Sequence, residues 1–484
     1  MLSSSDTQEV CSASPHARQL GRRGFLKSSG AAVAVVCLAG ANLLAGDMPS
    51  TGVFRAGVAR KVITPKGSIW MSGFAARKTP SEGVLHDLWA KALALEDAKG
   101  QRVVIVTTDL IGLPHEVSAD VAERVKKKYG LDRRQLLLSS SHTHSGPAIW
   151  PNLHVLFDLN ADDQRRLIEY RDRLVEDLVE VVGSAMADLS PATLAVGHGS
   201  ASFAANRRKQ TERGYGIGVN PTGPVDHDVP VVKIAGPDGK VRAIMFGYAC
   251  HNTSLVADCL QINGDYAGFA QIELEKAMPG TTAMFMILCG ADQNPAPRGT
   301  RELSSRYGKA LADEVARVAT AAMKPVTNPT LSSVYEEVKL DLVHQDRSVY
   351  EQEMKGSDIY RARRARSVLA AIDAGRQSWN IPIPVHAVGF GDGVVLLALG
   401  GEVVVDYSLR LKREYKGTDL IVAGYCNEVP CYVPSRRVLA EGGYEPVDSM
   451  IYYGQPGPFK PNVEDTLTAA CHRILAEVGV KCVP

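Results

Sequence analysis

From Phe54 to about Lys481, short apolar runs alternate with longer amphipathic stretches, and no Ser/Gly-rich linker interrupts them. Runs such as "RVVIVTTDL", "QLLLSS", "VPVVKIAG", "KVRAIMFGYAC", "AMFMILCG", "VHAVGFGDGVVLLALGG" and "TDLIVAGY" have the length and β-branched content of strands. Between them, "EVSADVAERVKKKYG", "DQRRLIEYRDRLVEDLVEVVGSAMADL", "GFAQIELEKAMPG" and "SSRYGKALADEVARVATAAM" carry helical spacing. That order predicts an α/β fold with mixed or mostly parallel β-sheets covered by α-helices. A chain of 484 residues is too long for one small core, so one large domain or two closely packed ones is expected. A net charge of +1 gives no electrostatic case for nucleic acid or an anionic surface. The basic stretch starting near Asp358 is expected to be a solvated helix face.

The first 46 residues are expected to stand outside the fold. Arg22-Arg23, then Phe25-Leu26-Lys27 and a weakly apolar Ala/Gly run, resemble a twin-arginine export signal, and imply a periplasmic or extracellular protein. The run is short against the ~20 apolar residues of a membrane span; a chance arginine pair before a signal anchor is the alternative. Without Cys11 and Cys37, seven cysteines remain, an odd number that forbids complete pairing. Cys426 with Cys431, or Cys471 with Cys482, could close small disulfides in an oxidising compartment. No CxxC pair exists, so a zinc finger has no support in the sequence.

In open α/β sheets, ligands bind beyond the carboxyl ends of strands. The residues that follow the apolar runs are therefore informative. "LLLSS" is followed by His142 and His144, "AIMFGYAC" by His251, "MILCG" by Asp292, Gln293 and Asn294, "VVLLALGG" by Glu402, and "LIVAGYCNEVPC" by Tyr432. Five runs end in groups able to hold a cation or move a proton. In extended chain, His142 and His144 would point to one side, whereas on a helix they would diverge by roughly 200°. A hydrogen-bonded structural pair is the alternative to a metal role. A loop histidine satisfied by its neighbours, a carboxylate at a helix N-terminus and a core aromatic are the corresponding alternatives for His251, Glu402 and Tyr432. His86 and His227, each beside an Asp, are assigned to turn or capping roles. Asp109 and Asp265 are expected to orient a ligating imidazole from behind.

"SSSHTHSGP", "ACHNTSL" with "INGDYAG", "NRR", "GGE" and "CYVPSRRVLAEGGYEP" together resemble the catalytic domain of neutral ceramidases and their bacterial relatives, as does the opening "AGVARKVITPKGSIWMSGF". The resemblance runs from about Phe54 to the C-terminus. It implies Zn2+ held by His142, His251, Glu402 and Tyr432, with His144 beside the metal as acid or base. It further implies an Arg207 that lines the substrate pocket and a Tyr444 that contacts the scissile group. Zinc of this kind supplies metal-activated water. The implied activity is hydrolysis of an N-acyl amide bond in a lipid amide such as ceramide. Its partners would be a small-molecule or lipid-amide substrate, with transient contact at a membrane surface to reach a lipid, no nucleic acid, and no particular oligomeric state.

Two departures bear on substrate. In "CGADQNPAP", Asn294 stands where the family's Gly-Asp-Val-Ser-Pro type loop has serine. An amide cannot form an acyl-enzyme through a hydroxyl, but it can donate to an oxyanion. Direct attack by activated water is therefore expected. Residues 47–484 are expected to form one hydrolase domain, without the C-terminal immunoglobulin-like domain of full-length ceramidases. Rival readings are a zinc-dependent esterase or amidase acting on a non-sphingolipid substrate, and a non-catalytic exported protein stabilised by a metal.

Overall fold

The computed structural model describes residues 54–482; the export-signal assignment lies outside these residues. Two sheets pack face to face. The larger runs in the order Thr282–Ile287, Val241–Tyr248, Asp228–Ala235, Ser190–Ser200, Phe54–Val62, Trp89–Glu96, Arg102–Thr108, Leu136–Ser140. The smaller runs Ser332–Asp341, Asn380–Gly391, Val394–Leu399, Asp419–Ala423. Both are mixed, with antiparallel pairs predominating over parallel ones.

Side-chain alternation along each strand explains why the runs read as continuously apolar. Val103, Ile105 and Leu137 of the larger sheet meet Leu396 and Ala398 of the smaller one in a shared core. Their neighbours Val104, Val106, Leu136 and Leu138 face outward against Val117 and Val121 of the helix His115–Tyr129, and Leu174 and Leu178 of the helix Ala161–Ala187. At the other end of that sheet, Phe246 and Phe285 pack on the helices Asp265–Ala277 and Arg301–Thr320. Val395 and Leu397 of the smaller sheet pack on the helix Val463–Glu477. The result is four layers, helix, sheet, sheet, helix, in which strands such as Arg102–Thr108, Leu136–Ser140 and Val394–Leu399 are buried on both faces.

Several expectations are corrected here. "VHAVGFGDGVVLLALGG" is a hairpin, turning where Gly391, Asp392 and Gly393 all have positive φ. Cys426 lies in the core between the sheets and Cys431 in the core on the outer side of the smaller sheet, so they cannot meet; both are free thiols, as is Cys471. The helix Ile359–Asp373 is not merely a solvated face: Ala365, Val368 and Leu369 bury against Tyr350, and Arg364 is buried in an ion pair with Glu353.

The strand order decides where the chemistry gathers. Three pairs within these sheets run parallel: Arg102–Thr108 with Leu136–Ser140, Val241–Tyr248 with Thr282–Ile287, and Val394–Leu399 with Asp419–Ala423. The larger sheet curls until its two edge strands, Thr282–Ile287 and Leu136–Ser140, touch. The segment after Ala423 ties them together, with Ser139 bridging Cys426 and Leu288 bridging Ala423. The carboxyl ends of all three pairs thereby come to one place.

Close helix packing secures the His251 end. A Cβ on Gly308 would lie 2.8 Å from both Ala270 N and Tyr266 O of the neighbouring helix. Gly308→Val is therefore expected to overpack this contact and lower stability by about 1–3 kcal/mol, measured by chemical denaturation of the purified protein.

Candidate metal centre and cavity

His142 and His251 meet across a parallel bridge. Thr143 pairs with Asn252, so the residue before each partner falls side by side, and the two rings stand 4.7 Å apart. His142 reaches this position by a left-handed turn, with φ of 61°, and not on the extended chain the His-x-His spacing suggested. Its amide donates to Leu110 O at 2.8 Å, which holds the turn in place.

The ring orientations follow from backbone carbonyls. His142 Nδ1 lies 2.6 Å from Ile111 O, and His251 Nδ1 lies 2.8 Å from Gly290 O. A carbonyl only accepts, so each Nδ1 carries the proton and each Nε2 presents a lone pair. Both Nε2 atoms lie 3.1 Å from Glu402 Oε2. Asp109 and Asp265, expected behind these imidazoles, do other work. Asp109 accepts from Trp89 N and Gln271, while Asp265 accepts from the Ser254 and Leu255 amides and fixes the loop after His251.

Glu402 and Tyr432 are also cross-strand neighbours, on the two-residue parallel strands Glu402–Val403 and Tyr432–Val433. Glu402 is thus not a helix cap: the helix Val405–Glu414 receives its N-terminal carboxylate from Asp292, which accepts from Val405 N at 2.9 Å. Tyr432 Oη lies 3.2 Å from His251 Nε2. Tyr453, not singled out in the sequence, donates to Glu402 Oε1 at 2.5 Å. Burial opposes the Glu402 charge. Burial pushes the His251 imidazolium down to about 3, with Arg207 adding to the shift.

These donors fit a small divalent cation. Two imidazole nitrogens and a carboxylate oxygen at 3.1 Å satisfy one another only through a proton or a cation among them. Ligand atoms around a tetrahedral zinc, bonded at about 2.0–2.1 Å, stand roughly 3.3 Å apart, close to the spacing seen. His144 joins the group: its Nε2 is 3.0 Å from His142 Nε2, and the ligand atoms of His142, His144 and His251 all lie within 4.8 Å of one another. Burial, followed by His142 and His251, pushes the His144 imidazolium well below its usual range, so the ring is neutral. Gly73 leaves it room, since a Cβ there would overlap the ring, and Arg77 donates to its carbonyl at 2.5 Å.

A cavity of about 260 Å3 opens over this cluster. Phe74, Ile111, Leu153, Leu156 and Tyr452 supply an apolar wall. The polar wall is Arg207, Asn294 and Tyr444. Arg207 is buried; its Nη2 donates to Tyr432 Oη at 3.0 Å and its Nη1 to Asn294 Oδ1 at 3.3 Å. Thr253 Oγ1 also donates to Asn294 Oδ1, at 3.3 Å. Because arginine only donates, the amide's oxygen must face it, and the Asn294 NH2 is left to donate elsewhere. The Tyr444 ring stands 5.6 Å from Tyr432, and burial raises its phenol above the ordinary range. The structure therefore gathers all eight sequence-selected residues, and leaves His86 and His227 hydrogen-bonded to backbone carbonyls of Asp87 and Ala204. Tyr453 and Arg77 have no sequence signal, whereas Thr253 lies inside "ACHNTSL" and Glu445, which binds Arg207, inside "GGYEP".

The comparisons with known proteins agree on the fold. The family model described as neutral/alkaline non-lysosomal ceramidase, N-terminal, matches residues 54–312. Neutral ceramidase of Pseudomonas aeruginosa is 26% identical over 251 residues, 48% of this chain and 36% of the relative. Neutral ceramidase of Mycobacterium tuberculosis is 25% identical over 222 residues, 43% and 34% respectively. The matches thus span about a third of these relatives' own length. The crystal structure of the P. aeruginosa neutral ceramidase superposes with a TM-score of 0.69 at 18% identity, covering 88% of this chain and 75% of that one.

Chelator-treated protein titrated with a divalent ion such as zinc is expected to bind one ion and gain thermal stability, about 2.7 kcal/mol at a hundredfold excess over Kd. His251→Ala and Glu402→Gln should abolish uptake in calorimetry and elemental analysis. His144→Ala should leave one ion bound.

Proposed function

The chain belongs to the neutral/alkaline non-lysosomal ceramidase family, and from that premise we propose an exported zinc-dependent hydrolase that cleaves an N-acyl amide bond of the ceramide type. The observation that carries this reading is the convergence of the His142, His251 and Glu402 donor atoms at 3.1 Å beneath a cavity with one apolar and one polar wall. The Arg22-Arg23 motif supports export.

In this reading His142, His251, Glu402 and Tyr432 hold the zinc. Bound zinc supplies a Lewis acid for the acyl carbonyl and lowers the pKa of water towards ~7. The chain's own groups do the rest. His144, neutral and facing the cluster through Nε2, takes the proton of the attacking water and returns it to the leaving amine. Tyr444 Oη and the Asn294 NH2 donate to the oxyanion that forms as water adds to the acyl carbon. Arg207 holds Tyr432 and the Asn294 carbonyl in place. The apolar wall of Phe74, Ile111, Leu153 and Leu156 takes the hydrocarbon part of the substrate and excludes bulk water. With asparagine at position 294, the site offers no hydroxyl there for an acyl-enzyme, so water adds directly.

Asn294 also favours a second reading, an esterase or amidase of the same machinery acting on a non-sphingolipid acyl compound. A panel of N-acylsphingosines and simple esters, with and without chelator, separates the two: chelator-sensitive ceramide cleavage supports the first, and ester cleavage with inert ceramide supports the second.

Tyr444→Phe and Asn294→Ala are each expected to lower kcat by about 10²–10³-fold with metal content intact. His144→Ala is expected to lower kcat by about 10²–10⁴-fold, again with the ion retained. Retention of full turnover by His144→Ala would reduce the centre to a stabilising role.

A further inference from the structure

Arg207 and Arg208 are successive residues of the strand Ala204–Thr211, where side chains ordinarily alternate between faces. Here both reach one carboxylate. Arg207 Nε donates to Glu445 Oε1 at 2.9 Å, and Arg208 Nη1 donates to Glu445 Oε2. The strand shifts register between Asn206 and Arg208 against its partner Gly214–Asn220, the kind of irregularity that re-aims a side chain beside a functional site. Glu445 is 2% exposed, so this is a buried cluster of two guanidinium groups and one carboxylate.

The loop that carries Glu445 is built to the same end. Gly442 and Gly443 have φ of 68° and 85°, and a Cβ on Gly443 would overlap the Tyr215 carbonyl, so the chain turns here only with glycine. Arg208 Nη2 donates to Gly442 O at 2.8 Å and its Nε to Glu441 Oε2 at 3.1 Å, which clamps the loop from the other side. Ser449 Oγ donates to Glu445 O at 2.7 Å. A guanidinium is planar and rigid, so holding its Nε edge dictates where its two Nη groups point. With Glu445 on that edge, the Nη groups meet Tyr432 Oη and Asn294 Oδ1.

We propose that Glu445 is the positioning residue that aims Arg207 into the site, with Arg208 as the anchor that keeps Glu445 in place. The inference rests on the reading of Arg207 as an active-site group. The neutral amide of Glu445→Gln loses the ionic hold on both arginines, and the shorter Glu445→Asp keeps the charge but draws Arg207 away from Tyr432. Arg207→Met removes the group being aimed.

A double-mutant cycle in the zinc-loaded full chain tests the coupling. Glu445→Gln is expected to lower kcat/KM on the order of 10-fold, mostly through kcat, but by less than about 2-fold when Arg207 is already Met. Equal losses in both backgrounds would mean that Glu445 acts only on general stability, and would overturn the proposal. Should Glu445→Gln not fold, Glu445→Asp takes its place in the cycle, since it retains the buried charge. If ceramide is inert and an ester is cleaved, the lipid-amide reading fails while the cycle is scored on the ester. If no substrate is turned over, the crystal structure of Glu445→Asp decides: displacement of Arg207 from Tyr432 Oη supports the proposal, and both Arg207 contacts unchanged overturns it.

Discussion

Two imidazole nitrogens each stand 3.1 Å from one carboxylate oxygen with their lone pairs facing inward, and the rest of the site is arranged around that confrontation. Left alone, it is unfavourable: the groups are buried, water cannot screen them, and each imidazole has already spent its proton on a backbone carbonyl. The fold maintains it by covalent and hydrogen-bonded geometry. Parallel ladders bring the members in as pairs, His142 beside His251 through the Thr143–Asn252 bridge, and Glu402 beside Tyr432. A divalent ion among these donors would turn their mutual repulsion into ligation.

That logic also explains the surrounding polar groups. Tyr453 donates to the second Glu402 oxygen, leaving Oε2 to face the two histidines. Arg207 donates to Tyr432 Oη and so favours electron density on that oxygen, while Glu445 balances the arginine's charge. His144 is kept out of the carboxylate's reach but beside His142, and its burial keeps it neutral and able to accept a proton. Position, protonation state and charge balance are thus set by separate contacts.

What the sequence made legible follows from range of interaction. Strand runs and helix periods are local, and the rule that ligands gather at strand carboxyl ends pointed to His142, His251, Asn294, Glu402 and Tyr432 without any tertiary information. The family resemblance then supplied roles that spacing alone left open. What stayed hidden depends on chain distant in sequence. The curl that closes Thr282–Ile287 onto Leu136–Ser140 has no local signature, and neither do strands only two residues long such as Glu402–Val403. The His-x-His spacing suggests extended chain, but a single left-handed residue, His142 with φ of 61°, leaves no mark in a pattern of alternation. Chemical type points to Asp109 and Asp265, whereas the backbone carbonyls of Ile111 and Gly290, a few residues after another strand's end, orient the rings.

Asn294 shows how one contact can redirect a site's chemistry. A serine there would offer an oxygen able both to donate and to attack. The amide offers neither option freely, because Arg207 and Thr253 both direct donors at its oxygen and so fix which end faces them. Only its NH2 remains, and an NH2 can stabilise negative charge but cannot carry an acyl group. In the proposed hydrolysis the nucleophile then comes from outside the chain, and the neutral His144 beside His142 is the group placed to deprotonate it. An amide at position 294 and a neutral imidazole at position 144 thus fit the proposed attack by water as one arrangement.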